Sequence, residues 1–156
     1  MLKPEAEAGM AALAKLALAR PLPTLGICLG CQLLSVVSGG KLIQDLGEQV
    51  PDHRLDGADQ YHMVNILPGT KLSAILGNGE IRVNSAHHQA VRPDRPGNGW
   101  QISAWASEVV EAIEYPGEVF RFGLQWHPER INDPVQKKTI FDSFVRAAEA
   151  KRGSRS

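Results

Sequence analysis

The sequence has few cysteines and no excess of charge of either sign. Cys28 and Cys31 are the only two cysteines in 156 residues, and they stand three positions apart. Such a close pair cannot form the disulfide framework of a small secreted domain. Lysine plus arginine and aspartate plus glutamate balance at 17 each. Proteins that bind nucleic acid or anionic membranes usually carry a basic excess, so we expect neither partner.

Long apolar runs are also absent, as are repeats and low-complexity segments. The Ala-rich stretch near the start carries Glu5 and Glu7, which make it too charged for a signal peptide, and it is too short to span a membrane. It predicts instead an amphipathic helix over 4–19 that packs on a sheet. With 43% hydrophobic residues, the chain suits one domain over 1–150 with a polar tail over 151–156.

What the sequence does contain is a cysteine between two glycines. Cys28 lies between Gly26 and Gly30, after a short apolar stretch typical of a buried strand and before a helical apolar spacing. This pattern follows the logic of the nucleophile elbow, with sulfur in place of oxygen, and the glycines leave room for the turn. We expect the helix N-terminus to favour the thiolate and the N–H of Leu29 to donate to an oxyanion.

A histidine and a carboxylate stand two residues apart much later in the chain. Alternating residues over 120–127 predict a strand with His127 at its C-terminal end, where open α/β sheets place active sites. Pro128 ends this strand, and Glu129 can then fix the tautomer of the imidazole. Taken alone, Cys28 could be a buried structural cysteine, and His127 with Glu129 could be a solvated surface pair. Together with Cys28, the pair supplies a nucleophile, a base and an orienting acid for acyl transfer through a thioester.

The rest of the pattern predicts the elements around these motifs. We expect a surface loop with little regular structure over 39–60 and a helix or turn over 71–76. The further elements are strands over 61–66, 81–84, 101–106 and 109–115, the last two as an antiparallel pair, and a final helix that begins at Pro134.

Four blocks of the sequence, in this order, resemble the class I glutamine amidotransferase-like superfamily. The blocks are Gly26–Gln32, Gly39–Asp45, Val83–Val91 and Gly123–Glu129. They resemble most the gamma-glutamyl hydrolase branch, peptidase family C26, and within it the gamma-glutamyl-gamma-aminobutyrate hydrolases of polyamine catabolism and putrescine degradation. The resemblance implies an α/β fold: a three-layer αβα, flavodoxin-like domain with a mostly parallel central sheet plus an antiparallel strand pair.

The resemblance also implies an activity. Cys28, His127 and Glu129 would be a catalytic triad that hydrolyses a gamma-glutamyl amide of a small molecule through a glutamyl thioester, with no cofactor and no metal. The backbone N–H of Leu29 would donate a hydrogen bond to the oxyanion. A reactive thiol requires a reducing compartment, so we expect a cytoplasmic protein.

The same resemblance implies a set of substrate-binding residues. Gln32, Ser85, His87 and His88 would line the pocket for the glutamyl group. For His87 and His88, a structural pair at a strand end is the alternative.

Two departures from the family pattern bear on activity. Leu29 stands where many relatives carry an arginine, although the backbone N–H survives that change. Relatives also have a long N-terminal section with a Gly-rich loop that donates a second oxyanion N–H, whereas 27 residues precede Cys28 here. We therefore expect an N-terminally truncated domain with impaired activity and an unpaired sheet edge that favours association or a homo-oligomer.

Other functions remain open at this point. One is a glutaminase subunit that supplies ammonia to a synthetase partner, and another is an inactive truncated homologue with a binding or assembly role. A third is a thiol redox protein, because Cys28 and Cys31 form a C-x-x-C at a helix N-terminus. The late His127 and Glu129 favour the hydrolase, with Cys31 facing the core, and the elbow disfavours a zinc site that uses both cysteines.

Overall fold

Helices and strands are interspersed in the first half of the chain, and a run of consecutive strands precedes the last helix. The computed structural model describes residues 3–47, 59–85 and 87–153. The helices are α1 Pro4–Leu18, α2 Leu29–Val37, α3 Lys71–Leu76 and α4 Pro134–Gly153, with a 3-10 turn over Pro128–Arg130. The strands are β1 Thr24–Ile27, β2 Leu42–Ile43, β3 Gln60–Ile66, β4 Gly79–Ser85, β5 Ala90–Val91, β6 Gln101–Ala106, β7 Val109–Glu114 and β8 Arg121–Leu124.

Within these residues the strands form a six-stranded sheet in the order β1-β8-β7-β6-β3-β4 and a separate β2-β5 pair. In the larger sheet only β1 and β8 are parallel, and every other described pairing is antiparallel. The expectation of a mostly parallel sheet is therefore wrong, whereas the antiparallel pair β6-β7 is confirmed. Connection length explains part of the difference. Residues 115–120 join β7 to β8, which is too short for a parallel crossover of about a dozen residues.

Helices cover both faces of the sheet, in agreement with the predicted three layers. On one face, Leu34 of α2 packs with Val110 and Ile113 of β7. On the other, Leu72 of α3 and Ile140 of α4 pack with sheet residues that include Phe122. Fully burying such a side chain contributes about 1.5–3 kcal/mol, so two apolar layers hold the sheet between the helices.

The predicted elements are confirmed, and several differ in extent from the prediction. The predicted loop over 39–60 contains the short strand β2, which pairs with β5, and residues 48–58 lie outside the described residues. Helix α4 continues to Gly153, so part of the predicted polar tail over 151–156 is helical, and 154–156 lie outside the described residues. Strand β8 ends at Leu124, earlier than predicted. None of the helices described here is long and apolar enough to cross a membrane.

Strand β1 lies at one edge of the described sheet, beside a helix that buries no residue of its own. Leu13 and Leu16 of α1 are 66% and 61% exposed. An apolar groove of about 310 Å³ runs between α1, β1 and α2, and Leu25 and Ile27 line it. Association through this edge stays a prediction.

Candidate active site

Cys28 occupies the turn between β1 and α2 with an unusual backbone conformation. Its φ is 52° and its ψ is −105°, a region that residues other than glycine rarely adopt. Its N–H donates to the carbonyl oxygen of Leu124 at 2.8 Å, which anchors the turn to the end of β8. The predicted strand-to-helix elbow is therefore confirmed.

The two glycines around Cys28 play different steric roles. A Cβ on Gly26 would lie 2.5 Å from Cδ1 of Leu34 and 2.8 Å from the backbone of Gly30, so only glycine lets α2 lie this close to β1. A Cβ on Gly30 would meet no atom within 4 Å. The prediction that both glycines are needed for space holds for Gly26 and is wrong for Gly30.

The parallel pair β1-β8 brings the second motif to the same edge of the sheet. Ile27 pairs with Leu124, so the chain leaves both strands at one end, with Cys28 after β1 and His127 beyond β8. Nδ1 of His127 lies 2.5 Å from Oε1 of Glu129. That contact leaves Nε2 as the nitrogen that can exchange a proton. No hydrogen bond between described residues joins His127 to Cys28, and catalytic contacts are often long before substrate binds.

The electrostatic surroundings of Cys28 favour the neutral thiol. Burial raises the pKa of the Cys28 thiol, and the charge of Glu129 acts in the same direction. The backbone N–H of Leu29 and the guanidinium of Arg130 lower this pKa but do not outweigh burial. The N–H at the start of α2 therefore favours the thiolate, as expected, but burial has the larger effect and keeps the pKa of the Cys28 thiol raised. A thiol of this kind needs a base to remove its proton.

Gln125 contacts the thiol directly. Its Nε2 lies 3.5 Å from Sγ of Cys28, and its side chain is fully buried. Its Oε1 accepts from Nε2 of Gln32 at 3.1 Å, and Gln32 also donates to the carbonyl oxygen of Gln89 at 3.1 Å. Gln32 is among the predicted site residues, whereas Gln125 is not, because its only signal in the sequence is a polar position in the alternating run over 120–127.

The other predicted substrate-binding residues lie in different surroundings. Ser85 is fully buried at the end of β4, and its Oγ has no hydrogen-bond partner among the described residues. His87 is 6% exposed, with Nδ1 2.8 Å from the carbonyl oxygen of Gln89 and Nε2 3.4 Å from Oε1 of the buried Glu111. His88 is exposed. Substrate binding by Ser85, His87 and His88 stays a prediction.

A cavity of about 330 Å³ lies beside the nucleophile. Leu29, Gln32, Gln44 and Gln89 are among its lining residues, and Nε2 of Gln89 donates to Oε1 of Gln44 at 2.8 Å. A larger cavity of about 1120 Å³, with Trp105 in its wall, contains none of the predicted site residues. The smaller cavity therefore places side-chain amides next to Leu29 of the elbow.

A bidentate ion pair borders the His127 motif. Nε and Nη2 of Arg130 donate to Asp59 at 2.8 and 2.7 Å, and Asn84 donates to the same carboxylate at 2.9 Å. The Arg130 hydrogen bonds lower the pKa of Asp59. Neither Arg130 nor Asp59 is among the residues that the sequence predicts for the site. This contact ties the turn that carries Glu129 to strand β4.

Cys31 faces away from this site, as predicted. It is 1% exposed, and a Cβ on Gly123 would lie 2.8 Å from its Sγ. Burial raises the pKa of the Cys31 thiol far above its usual range. Both cysteines are free thiols. No group of three or more histidine, cysteine or acidic side chains in residues 3–47, 59–85 and 87–153 could hold a metal ion.

This site can be compared with known proteins. The family model described as Peptidase C26 matches residues 2–129, which include the elbow and the His127 motif. The chain belongs to the Peptidase C26 family. One C26 relative is the gamma-glutamyl-gamma-aminobutyrate hydrolase PuuD of Escherichia coli K12, 33% identical over 145 residues that cover 85% of this chain and 56% of that protein.

A second relative is a Mycobacterium tuberculosis protein named as a provisional glutamine amidotransferase. It is 37% identical over 158 residues, which cover 99% of this chain and 49% of that protein. The C26 chain described here spans 49 to 63% of the length of the curated relatives it matches.

Solved structures share the fold of this C26 chain. The glutaminase domain of Trypanosoma brucei CTPS, solved with bound acivicin, superimposes with a TM-score of 0.72 at 21% identity and covers 96% of this chain and 69% of that one. A glutamine amidotransferase of Thermotoga maritima gives a TM-score of 0.59 at 22% identity and covers 91% and 55%. The fold is therefore the α/β glutamine amidotransferase-like fold.

Proposed function

We propose that this chain hydrolyses a gamma-glutamyl amide through a thioester on Cys28. One observation carries the proposal. Cys28 leaves β1 in a strained turn, and the His127–Glu129 pair follows the adjacent parallel strand β8 at the same edge of the sheet. A nucleophile, a base and a group that orients the base are then close together at strand ends.

In the first step His127 removes the proton from the thiol of Cys28, whose burial otherwise favours the neutral form. Glu129 accepts the hydrogen bond from Nδ1–H and so keeps Nε2 as the base. The sulfur attacks the gamma-carbonyl carbon, and the carbonyl oxygen becomes an oxyanion. The N–H of Leu29, at the start of α2, donates to that oxyanion.

In the second step the carbon–nitrogen bond breaks. The amine leaves with the proton that His127 carries, and a glutamyl thioester remains on Cys28. Water then loses a proton to His127 and attacks the thioester carbonyl carbon. The carbon–sulfur bond breaks, glutamate leaves and the thiol is restored.

The cavity beside Leu29 suits the glutamyl end of the substrate. Oε1 of Gln32 and the amides of Gln44 and Gln89 together offer acceptors and donors, which an α-amino acid with opposite charges requires. Gamma-aminobutyrate is our first candidate for the leaving amine because the Escherichia coli relative is named for that substrate. Putrescine breakdown would then be the pathway. A second oxyanion donor is worth about 10²–10³ in rate, so we expect slow turnover where Leu29 acts alone.

Trapping the covalent intermediate tests the proposal. The chain is mixed with gamma-glutamyl-gamma-aminobutyrate, quenched in acid and weighed by intact-protein mass spectrometry, while released glutamate is measured in parallel. We expect a glutamyl adduct on the wild-type chain and on Cys31→Ala, and none on Cys28→Ala. An unmodified wild-type chain with no glutamate release would favour an inactive homologue instead.

Glutaminase activity is the second candidate, and the Mycobacterium tuberculosis relative supports it by its name and its 37% identity. Glutamine, tested under the same conditions, separates the two activities. A kcat/KM for glutamine above that for gamma-glutamyl-gamma-aminobutyrate would favour the glutaminase. The reverse order would favour the hydrolase.

A further inference from the structure

A chain of three hydrogen bonds leads from a backbone carbonyl to the thiol of Cys28. The carbonyl oxygen of Gln89 accepts from Nε2 of Gln32, the same Nε2 donates to Oε1 of Gln125, and Nε2 of Gln125 faces Sγ. Gln125 is fully buried and Gln32 is 4% exposed. Bulk water therefore does not reach these two side-chain amides and cannot replace the hydrogen bonds that join them.

The backbone carbonyl fixes the polarity of this chain. A carbonyl oxygen can only accept, so Gln32 must turn its NH₂ group toward Gln89. The second hydrogen of that NH₂ group then points at Gln125, which must accept the hydrogen bond with Oε1. The NH₂ group of Gln125 is left facing the sulfur, so the thiol meets a donor and not an acceptor.

We propose that Gln125 is a catalytic residue that donates a hydrogen bond to the Cys28 thiolate, and that Gln32 is a positioning residue that fixes the orientation of the Gln125 amide. The proposal rests on the proposed function only in taking Cys28 as the nucleophile. A donor aimed at sulfur stabilises the charged form more than the neutral form, because hydrogen bonds to charged groups are the stronger ones. The amide thus counteracts part of the effect of burial.

Other groups also favour or oppose the thiolate of Cys28, and their effects must be distinguished from the effect of Gln125. Arg130 favours the thiolate and Glu129 opposes it, both from the turn after β8. The N–H of Leu29 favours the thiolate from α2, and Cys31 lies on the same helix. His127, the proposed base, precedes that turn. None of these groups is changed in the test below.

The test measures the rate at which iodoacetamide alkylates Cys28 between about pH 5 and 10, with peptide mass spectrometry to locate the label. In Gln125→Met we expect the rate at neutral pH to fall about tenfold and the midpoint of the profile to move to higher pH, because the thiolate has lost a donor. Gln125→Glu should shift the profile further in the same direction. Gln32→Met, which frees the Gln125 amide to turn, should shift it by less.

Gln136→Met is the matched control. Gln136 is also a buried glutamine, and its amide accepts from Trp126 at 3.1 Å and donates to the carbonyl oxygen of Arg82 at 3.2 Å, away from Cys28. Its profile should coincide with that of the wild type. A Gln125→Met profile that superimposes on the wild type, or an equal shift in Gln136→Met, would overturn the proposal.

Two further outcomes keep the test decisive. If circular dichroism shows that Gln125→Met does not fold, Gln125→Glu and Gln32→Met decide, and unshifted profiles in both variants reject the proposal. Because alkylation needs no substrate, the two proposals can fail separately. A shifted profile without hydrolysis rejects only the proposed function, and hydrolysis with unshifted profiles rejects only the role of Gln125.

Discussion

Cys28 and Cys31 stand three residues apart, and although burial raises the pKa of both thiols, their exposure, backbone conformation and hydrogen-bond donors differ. Cys28 is partly exposed in a strained turn, with donors from Leu29 and Gln125 at its sulfur. Cys31 lies one helical turn further along α2, buried against Gly123. The comparison teaches that the C-x-x-C spacing alone does not give two thiols the same surroundings. One turn of helix is enough to move a thiol from the site into the core.

Matched substitutions at the two cysteines should give the largest contrast. We expect Cys28→Ala to lower the rate of hydrolysis by at least about 10⁴-fold, since the nucleophile is gone. Cys31→Ala should keep the rate within about threefold, because its sulfur faces away from the site. The measurement is glutamate release under saturating substrate. Equal losses in the two variants would revive the dithiol interpretation.

The next largest effect is expected at Glu129, which should influence hydrolysis through His127 and Cys28 and not through Cys31. Glu129→Gln should lower kcat by about 10²-fold, less than for a buried orienting acid because this carboxylate is 40% exposed. The pH dependence of kcat reports the base in the complex, so its acidic limb should change as well. Asp142→Asn, on an exposed Lys138 pair far along α4, serves as the control and should leave kcat unchanged. An unchanged kcat in Glu129→Gln would remove Glu129 from the triad.

Substitutions of Gly26 and Gly30, on either side of Cys28, test how closely α2 packs against β1. Gly26→Ala should lower the free energy of unfolding by about 2 kcal/mol, because the new methyl group would overlap Leu34 and the backbone of Gly30. Gly30→Ala should be neutral or stabilise α2 by up to about 1 kcal/mol, since it fills open space in a helix. Urea unfolding of both variants checks this. A destabilising Gly30→Ala would contradict the steric distinction.

The smallest expected effect is a difference in sign between the two cysteine positions. Cys28→Gly should raise the free energy of unfolding by about 1 kcal/mol, because glycine adopts φ 52° without strain. Cys31→Ala should lower it by about 1 kcal/mol through a small cavity beside Gly123. Thermal or urea unfolding measures both. Destabilisation by Cys28→Gly would show that the elbow is relaxed and not strained.

The positions of the two motifs could be predicted from the sequence because both depend on local signals. Glycines, a strand pattern and a helix pattern define the elbow around Cys28, and Pro128 marks the turn before Glu129. The direction of the strands could not be predicted in this way. It follows in part from short connections such as residues 115–120 between β7 and β8, which exclude the parallel arrangement that the family resemblance suggested for this pair.

Gln125 and His87 show a second limit of sequence patterns. Alternation predicts one buried and one open face, but helices cover both faces of the sheet, so Gln125 is buried beside apolar neighbours. His87 faces Glu111, which lies where the register of β7 against β6 shifts between Ala112 and Val110. Such a bulge depends on how two strands pair and leaves no simple mark in either strand.

The parallel register of β1 and β8 determines which sequence changes, substitutions or insertions and deletions, the site can tolerate. Strands pair in whole-residue steps of about 3.3 Å, so the alignment of Cys28 with the His127 motif can shift only in jumps of that size. Substitutions can adjust this alignment finely, whereas inserting or deleting one residue between Thr24 and Cys28, or between Arg121 and His127, would disrupt it in a single step. Changes in chain length are therefore better tolerated elsewhere, for instance in the loop that joins β7 to β8.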